Sequence, residues 1–104
     1  MPQTLKDLQD AVLYSGPILA KPFPYTTRVI VRSIVYRWKS LTTGSDIERK
    51  WAKKMIRLEV KNRIQERGSP LTMWFISILI SIILKWLMRH RPLGVDHTIA
   101  QMRK

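Results

Sequence analysis

The stretch SPLTMWFISILISIILKWLMRHRP, Ser69 to Pro92, carries no charge from Leu71 to Leu84 and then admits Lys85 before Trp86, Leu87 and Met88. A run of this kind has few fates: it crosses a bilayer, lies in one, or is buried by the rest of its protein. As a helix, Leu71 to Met88 extends roughly 27 Å at about 1.5 Å per residue, against a hydrocarbon core of about 30 Å. Lys85 stands one turn from the end, where its stem can carry the ammonium to headgroup level beside Arg89, His90 and Arg91. Trp74 and Trp86 occupy the positions of interfacial aromatic belts, and Pro70 suits the first helical turn after Ser69. The expectation is a transmembrane helix over 69–91, anchored by Trp74, Lys85, Trp86, Arg89 and Arg91. The competing expectations are a buried core helix and an interfacial hairpin. Ser77, Ser81 and Lys85 recur every fourth residue, which marks Ser77 and Ser81 as a helix–helix contact of the small-xxx-small kind.

The remainder of the chain bears on how such a helix is accommodated. At 104 residues there is room for one small domain, and the segmentation described below leaves few apolar residues for a core of its own. Nineteen Lys and Arg against seven Asp and Glu give a net charge of +12. That excess points to anionic partners: an anionic lipid bilayer, acidic faces of other protein subunits or, less favoured, nucleic acid. There is no cysteine, hence no disulfide framework and no thiolate nucleophile or metal ligand. The opening MPQTLKDLQD is polar and mixed in charge, unlike a secretory leader.

Gly16, Gly44, Gly68 and Gly94 each follow a stretch with helical character, as expected of a residue that tolerates the left-handed conformation beyond a helix end. Residues 1–25 read as a short helix, Thr4 to Tyr14 with Thr4 as N-cap, followed by a connector in which Pro17, Pro22 and Pro24 forbid helix. Residues 26–68 read as two basic amphipathic helices. In the first, Thr26 to Thr43, the residues Ile30, Val31, Ile34, Val35, Trp38 and Leu41 share one arc, a docking face for lipid or a partner subunit. The second opens on a capping box, Ser45 and Glu48. Its Lys50, Lys53, Lys54, Arg57 and Lys61 form a basic stripe, a contact for anionic lipid or phosphate. Two apolar lines run along the same helix, Ile47, Trp51, Met55 and Leu58 on one side and Ile56, Val60 and Ile64 on another. Two lines separated by charge imply two neighbours. Residues 92–104 form a short basic tail. The flank before residue 69 is richer in Lys and Arg than the tail, so the positive-inside rule places the N-terminal part on the cytoplasmic or equivalent side.

Chemistry-bearing constellations are sparse. His90 and His97 lack partners at metal-ligand spacing, Asp96, His97 and Thr98 are too close in sequence to adopt triad geometry, and no glycine-rich phosphate loop is present. The reading is non-enzymatic, with no cofactor and no metal. In the first half, LY at Leu13 and Tyr14, FP at Phe23 and Pro24, then Arg28, Arg32, Tyr36, Arg37 and Asp46 follow an order that loosely resembles LYR-motif accessory proteins of mitochondrial complexes. Ser15 stands where that motif has its defining arginine, Gly16 and Pro17 interrupt the helix that would carry it, and a membrane span is not part of the pattern.

The expected fold is therefore all-α and non-globular, a single transmembrane helix preceded by amphipathic, basic helices. The expected function is a structural or assembly subunit of a larger membrane complex, with the basic helices docked on acidic headgroups and partner subunits. Two alternatives share these features: a structural membrane protein of a lipid-containing virion that contacts nucleic acid, and a small membrane-permeabilising effector of holin or toxin type.

Overall fold

A computed structural model of the chain describes residues 4–90. Five α-helices follow one another: α1 (Leu5–Ser15), α2 (Pro24–Tyr36), α3 (Trp38–Thr43), α4 (Asp46–Glu66) and α5 (Met73–His90), with a 3₁₀ turn at Ile18–Ala20. The starts are set locally. Thr4 Oγ1 accepts from the Asp7 N–H at 3.2 Å, Ser45 Oγ accepts from Glu48 at 3.3 Å, and Thr72 Oγ1 accepts from Phe75 at 3.2 Å, each satisfying a donor that the first turn leaves without a partner. At Ser45 the second half of the expected capping box is altered, because its hydroxyl donates to the Glu48 carboxylate. The last helix begins at Met73 behind Thr72, so Ser69 and Pro70 belong to the preceding turn.

The ends differ in kind. Beyond α4, Ser69 N–H bonds to Ile64 O at 3.2 Å and Gly68 N–H to Gln65 O at 2.9 Å, the paired bonds of a Schellman motif, with Gly68 at φ 72°. Gly16 and Gly44 serve otherwise. Neither has positive φ, and a Cβ on either would stand 2.4 Å from a carbonyl oxygen of the preceding turn, Val12 O or Ser40 O. Gly94 and the tail over 92–104 lie outside the described residues.

The single helix expected over 26–43 is two. Pro24, at the first helical position where its missing N–H costs nothing, starts α2 earlier. At Arg37 the backbone leaves helical geometry (φ −106°, ψ 17°), and its N–H is shared between Ser33 O and Ile34 O. The β-branched run before it is a weak helix former, so little local preference opposes the break.

α2 is the hub, touching α1, α3, α4 and α5. Its Ile30, Val31, Ile34 and Val35 are fully buried, and Trp38 and Leu41 of α3 nearly so. These six residues, expected to face lipid or a partner subunit, instead form the centre of the chain's own core. Around them close Leu8 and Val12 of α1, Ala52, Ile56, Val60 and Ile64 of α4, and Ile76, Leu79, Ile80, Ile83, Leu84 and Leu87 of α5. Polar contacts fix the layers. Arg28 pairs with Asp10 at 2.8 Å and its carbonyl accepts from Gln9, joining α1 to α2. Glu59 of α4 accepts from Ser33 Oγ at 2.7 Å and pairs with Arg37. Phe23 meets Phe75 edge to face at 5.0 Å, and Arg67 lies over the Tyr25 ring at 4.1 Å.

This packing overturns the transmembrane expectation, and with it the single-pass, membrane-localised and non-globular readings. Among the described residues no helix is long and apolar enough to cross a membrane. α5 has 18 residues, about 27 Å of rise, and carries Lys85 and Arg89 near its end. Its most apolar side is covered by α2 and α4, while exposed Trp74, Ser81, Lys85 and Arg89 run along the part left uncovered. It is an amphipathic helix whose apolar arc is wide. The radius of gyration, 12.9 Å, equals the roughly 13 Å of a compact domain of about 100 residues.

Candidate functional site

The side of α4 turned away from the core holds the features that the core does not account for. At about 100° per residue, Ala52, Ile56, Val60 and Ile64 share the buried line, and Ile47, Trp51 and Leu58 share another, well round the helix. That second line is uncovered: Ile47 is 80%, Trp51 61% and Leu58 44% exposed. Met55, read from sequence as part of the same strip, is half-buried at its edge. Lys50 and Lys54 are exposed beside the strip and Lys61 half-buried, with Lys54 Nζ 5.9 Å from the Trp51 ring centroid.

Further round, toward α5, the basic stripe enters a groove. Lys53 and Arg57 of α4 line it from one side and Ser77, Ser81 and Lys85 of α5 from the other, over a floor of Ile80 and Leu84, enclosing about 200 Å³. Two sets of residues that the sequence assigned to different tasks, phosphate contact and helix–helix contact, thus meet at one place. Ser77 and Ser81 do lie at a helix seam, though it is the seam with α4 of the same chain. Neither hydroxyl has a hydrogen-bond partner among the described residues, and the three cations have no ion pair there. Among the described residues no carboxylate lines the groove: Asp10, Glu59 and Asp46 are engaged by Arg28, Arg37 and Arg49 elsewhere.

The membrane-anchor residues are dispersed. Trp74, Lys85 and Arg89 are exposed on α5, Trp86 is half-buried, and Arg91 lies outside the described residues, as do Asp96, His97 and Thr98. Among the described residues no cluster of His, Cys, Asp or Glu could hold a metal ion.

Sequence reading missed the concavity between α2 and α4, about 420 Å³, lined by Val29, Arg32, Ser33, Tyr36, Glu59 and Arg63. Its carboxylate already accepts from Ser33 and Arg37, so the pocket offers mixed charge and no uncommitted base. Only tertiary proximity reveals it, since Glu59 lies 26 positions from Ser33 and 22 from Arg37. The uncovered strip, by contrast, had a signal in the second apolar line of α4.

Comparison with family models, with curated proteins and with solved structures finds no match. The partial likeness to LYR-motif accessory proteins thus has no family assignment behind it.

Proposed function

We propose that the chain is a non-enzymatic docking subunit of a larger assembly, binding an acidic, amphipathic protein surface through the outward side of α4. One observation carries this reading: Ile47, Trp51 and Leu58 form an exposed line on a helix whose other apolar line already fills the core. An apolar strip left outside on a chain of this size is a contact surface more than a folding element. Trp is the residue type that most often dominates such contacts, and the cations beside it choose the sign of the partner. Acidic residues bordering an apolar ridge on the partner would meet Lys50, Lys54 and Lys61 while the ridge covers Trp51.

The test is binding of a labelled amphipathic helical peptide, with glutamates on one side and leucines on the other, to the full chain by fluorescence anisotropy. Trp51→Ala is expected to weaken binding at least tenfold, since a central aromatic contributes about 2 kcal/mol or more. Binding that rises with peptide charge but ignores Trp51→Ala removes the docking reading. Binding of duplex nucleic acid or anionic vesicles with a steep salt dependence, equally blind to Trp51, replaces the acidic protein partner with a polyanion.

A further inference from the structure

We propose that the groove between α4 and α5 is a phosphate-binding site, in which Lys53, Arg57 and Lys85 supply charge and Ser77 and Ser81 donate hydrogen bonds. It stands on the groove alone and goes beyond the docking reading, which rests on the strip around Trp51.

Among the described residues the lining contains three cations, two hydroxyls and no carboxylate. A groove lined by one sign of charge focuses the potential, and a low-dielectric wall strengthens it; here Ile80 and Leu84, 5% and 9% exposed, form that wall. The usual sink for a helix serine is its own backbone, one turn back, as Thr42 Oγ1 shows by donating to Trp38 O at 2.8 Å. Ser77 and Ser81 make no such bond among the described residues, so their hydroxyls remain available to an acceptor in the groove.

Size narrows the class. About 200 Å³ lies below the range of about 300–1,000 Å³ for drug-sized ligands. The groove is open to solvent, so it can seat one phosphate group, free or at the end of an ester, while anything larger must lie partly outside it. Arg57 can offer paired N–H donors to two phosphate oxygens, while Lys53 and Lys85 act as point charges.

The experiment is an amide NMR titration of the full chain at physiological salt with two probes, inorganic phosphate and glycerol 3-phosphate. Saturable shifts are expected around Lys53, Ser77, Ser81 and Lys85. Lys85→Gln should weaken binding about tenfold, the equivalent of one charge-assisted hydrogen bond, with Lys85→Arg near wild type and Lys6→Gln on α1 unchanged. The Ser77→Ala, Ser81→Ala double variant should weaken phosphate binding at unchanged net charge. Glycerol 3-phosphate should bind more tightly as pH rises through about 6 and the monoester becomes a dianion. At a pH where both probes are dianions, tighter binding of the ester points to a phosphate monoester as ligand, and binding no tighter than that of inorganic phosphate points to free phosphate. The proposal is overturned if shifts fail to saturate, if they spread over the whole basic surface, or if Lys6→Gln costs as much as Lys85→Gln. Trp51→Ala should leave phosphate binding intact, so this site and the docking strip can fail separately. Lys85 and Ser81 are exposed, and dispersion of each variant's spectrum verifies its fold.

Discussion

α5 is the most apolar helix and α4 among the most charged, yet it is α4 that leaves an apolar line uncovered. α5 has one wide apolar arc, and α2 and α4 cover most of it, leaving Trp74 as its large exposed apolar side chain. α4 has two narrow lines, and among the described residues only one of them has a neighbour. Total apolarity therefore says little about what a helix offers to partners. The number of apolar lines, set against the number of neighbours in the fold, says more.

Matched substitutions put this comparison at risk. The largest effect is expected for Leu79→Ala on α5 and Ile56→Ala on α4, both fully buried, at about 2–5 kcal/mol of stability each. Leu58→Ala and Ile47→Ala, on the outward line of α4, should each stay within about 0.5 kcal/mol in the same urea titration. Comparable losses from Ile47 and Ile56 would mean that both lines are core and that no strip is available for docking.

An intermediate effect should follow Glu59→Gln. It removes the charge that Arg37 and Ser33 share across α2 and α4, and with Glu59 partly exposed the loss should be about 1–2 kcal/mol. A Glu59→Gln protein as stable as wild type would show that apolar packing alone aligns α4 on the hub. Gly68→Ala should cost about 1 kcal/mol, because alanine resists the left-handed conformation that turns the chain from α4 into α5. Open space around that Cβ position makes the backbone the sole cause, so substitution by asparagine should restore part of the loss.

The smallest stability effect is reserved for Trp51→Ala, within about 0.5 kcal/mol by thermal melting, even though the same change should abolish most of the peptide binding. That split between stability and binding is what separates a contact surface from a core. If the melting temperature falls as far as it does for Ile56→Ala, Trp51 is structural and the comparison between the two helices collapses.

Several elements were legible in the sequence because their causes are local. The caps at Thr4 and Ser45, the helix break at Gly68 and the two lines of α4 depend on residues within one or two turns, where spacing and backbone chemistry suffice. The basic residues of the groove were legible too, as a stripe. Their meeting with Ser77, Ser81 and Lys85 was not, since it requires α5 to lie against α4.

The sequence by itself determined that the chain is helical, where α1 and α4 begin and end, and that it carries a strong positive excess. Tertiary structure alone decided which apolar surfaces are inside. Ile30, Val31, Ile34, Val35, Trp38 and Leu41 read equally well as a docking face or as a core, and so did the apolar arc of α5. Periodicity shows that a surface must be covered, but not by what. A bilayer, a partner and another helix of the same chain all remove apolar area from water. Here α2, α4 and α5 cover one another, and α4 keeps an uncovered line, Ile47, Trp51 and Leu58, beside a groove whose cations have no ion pair among the described residues.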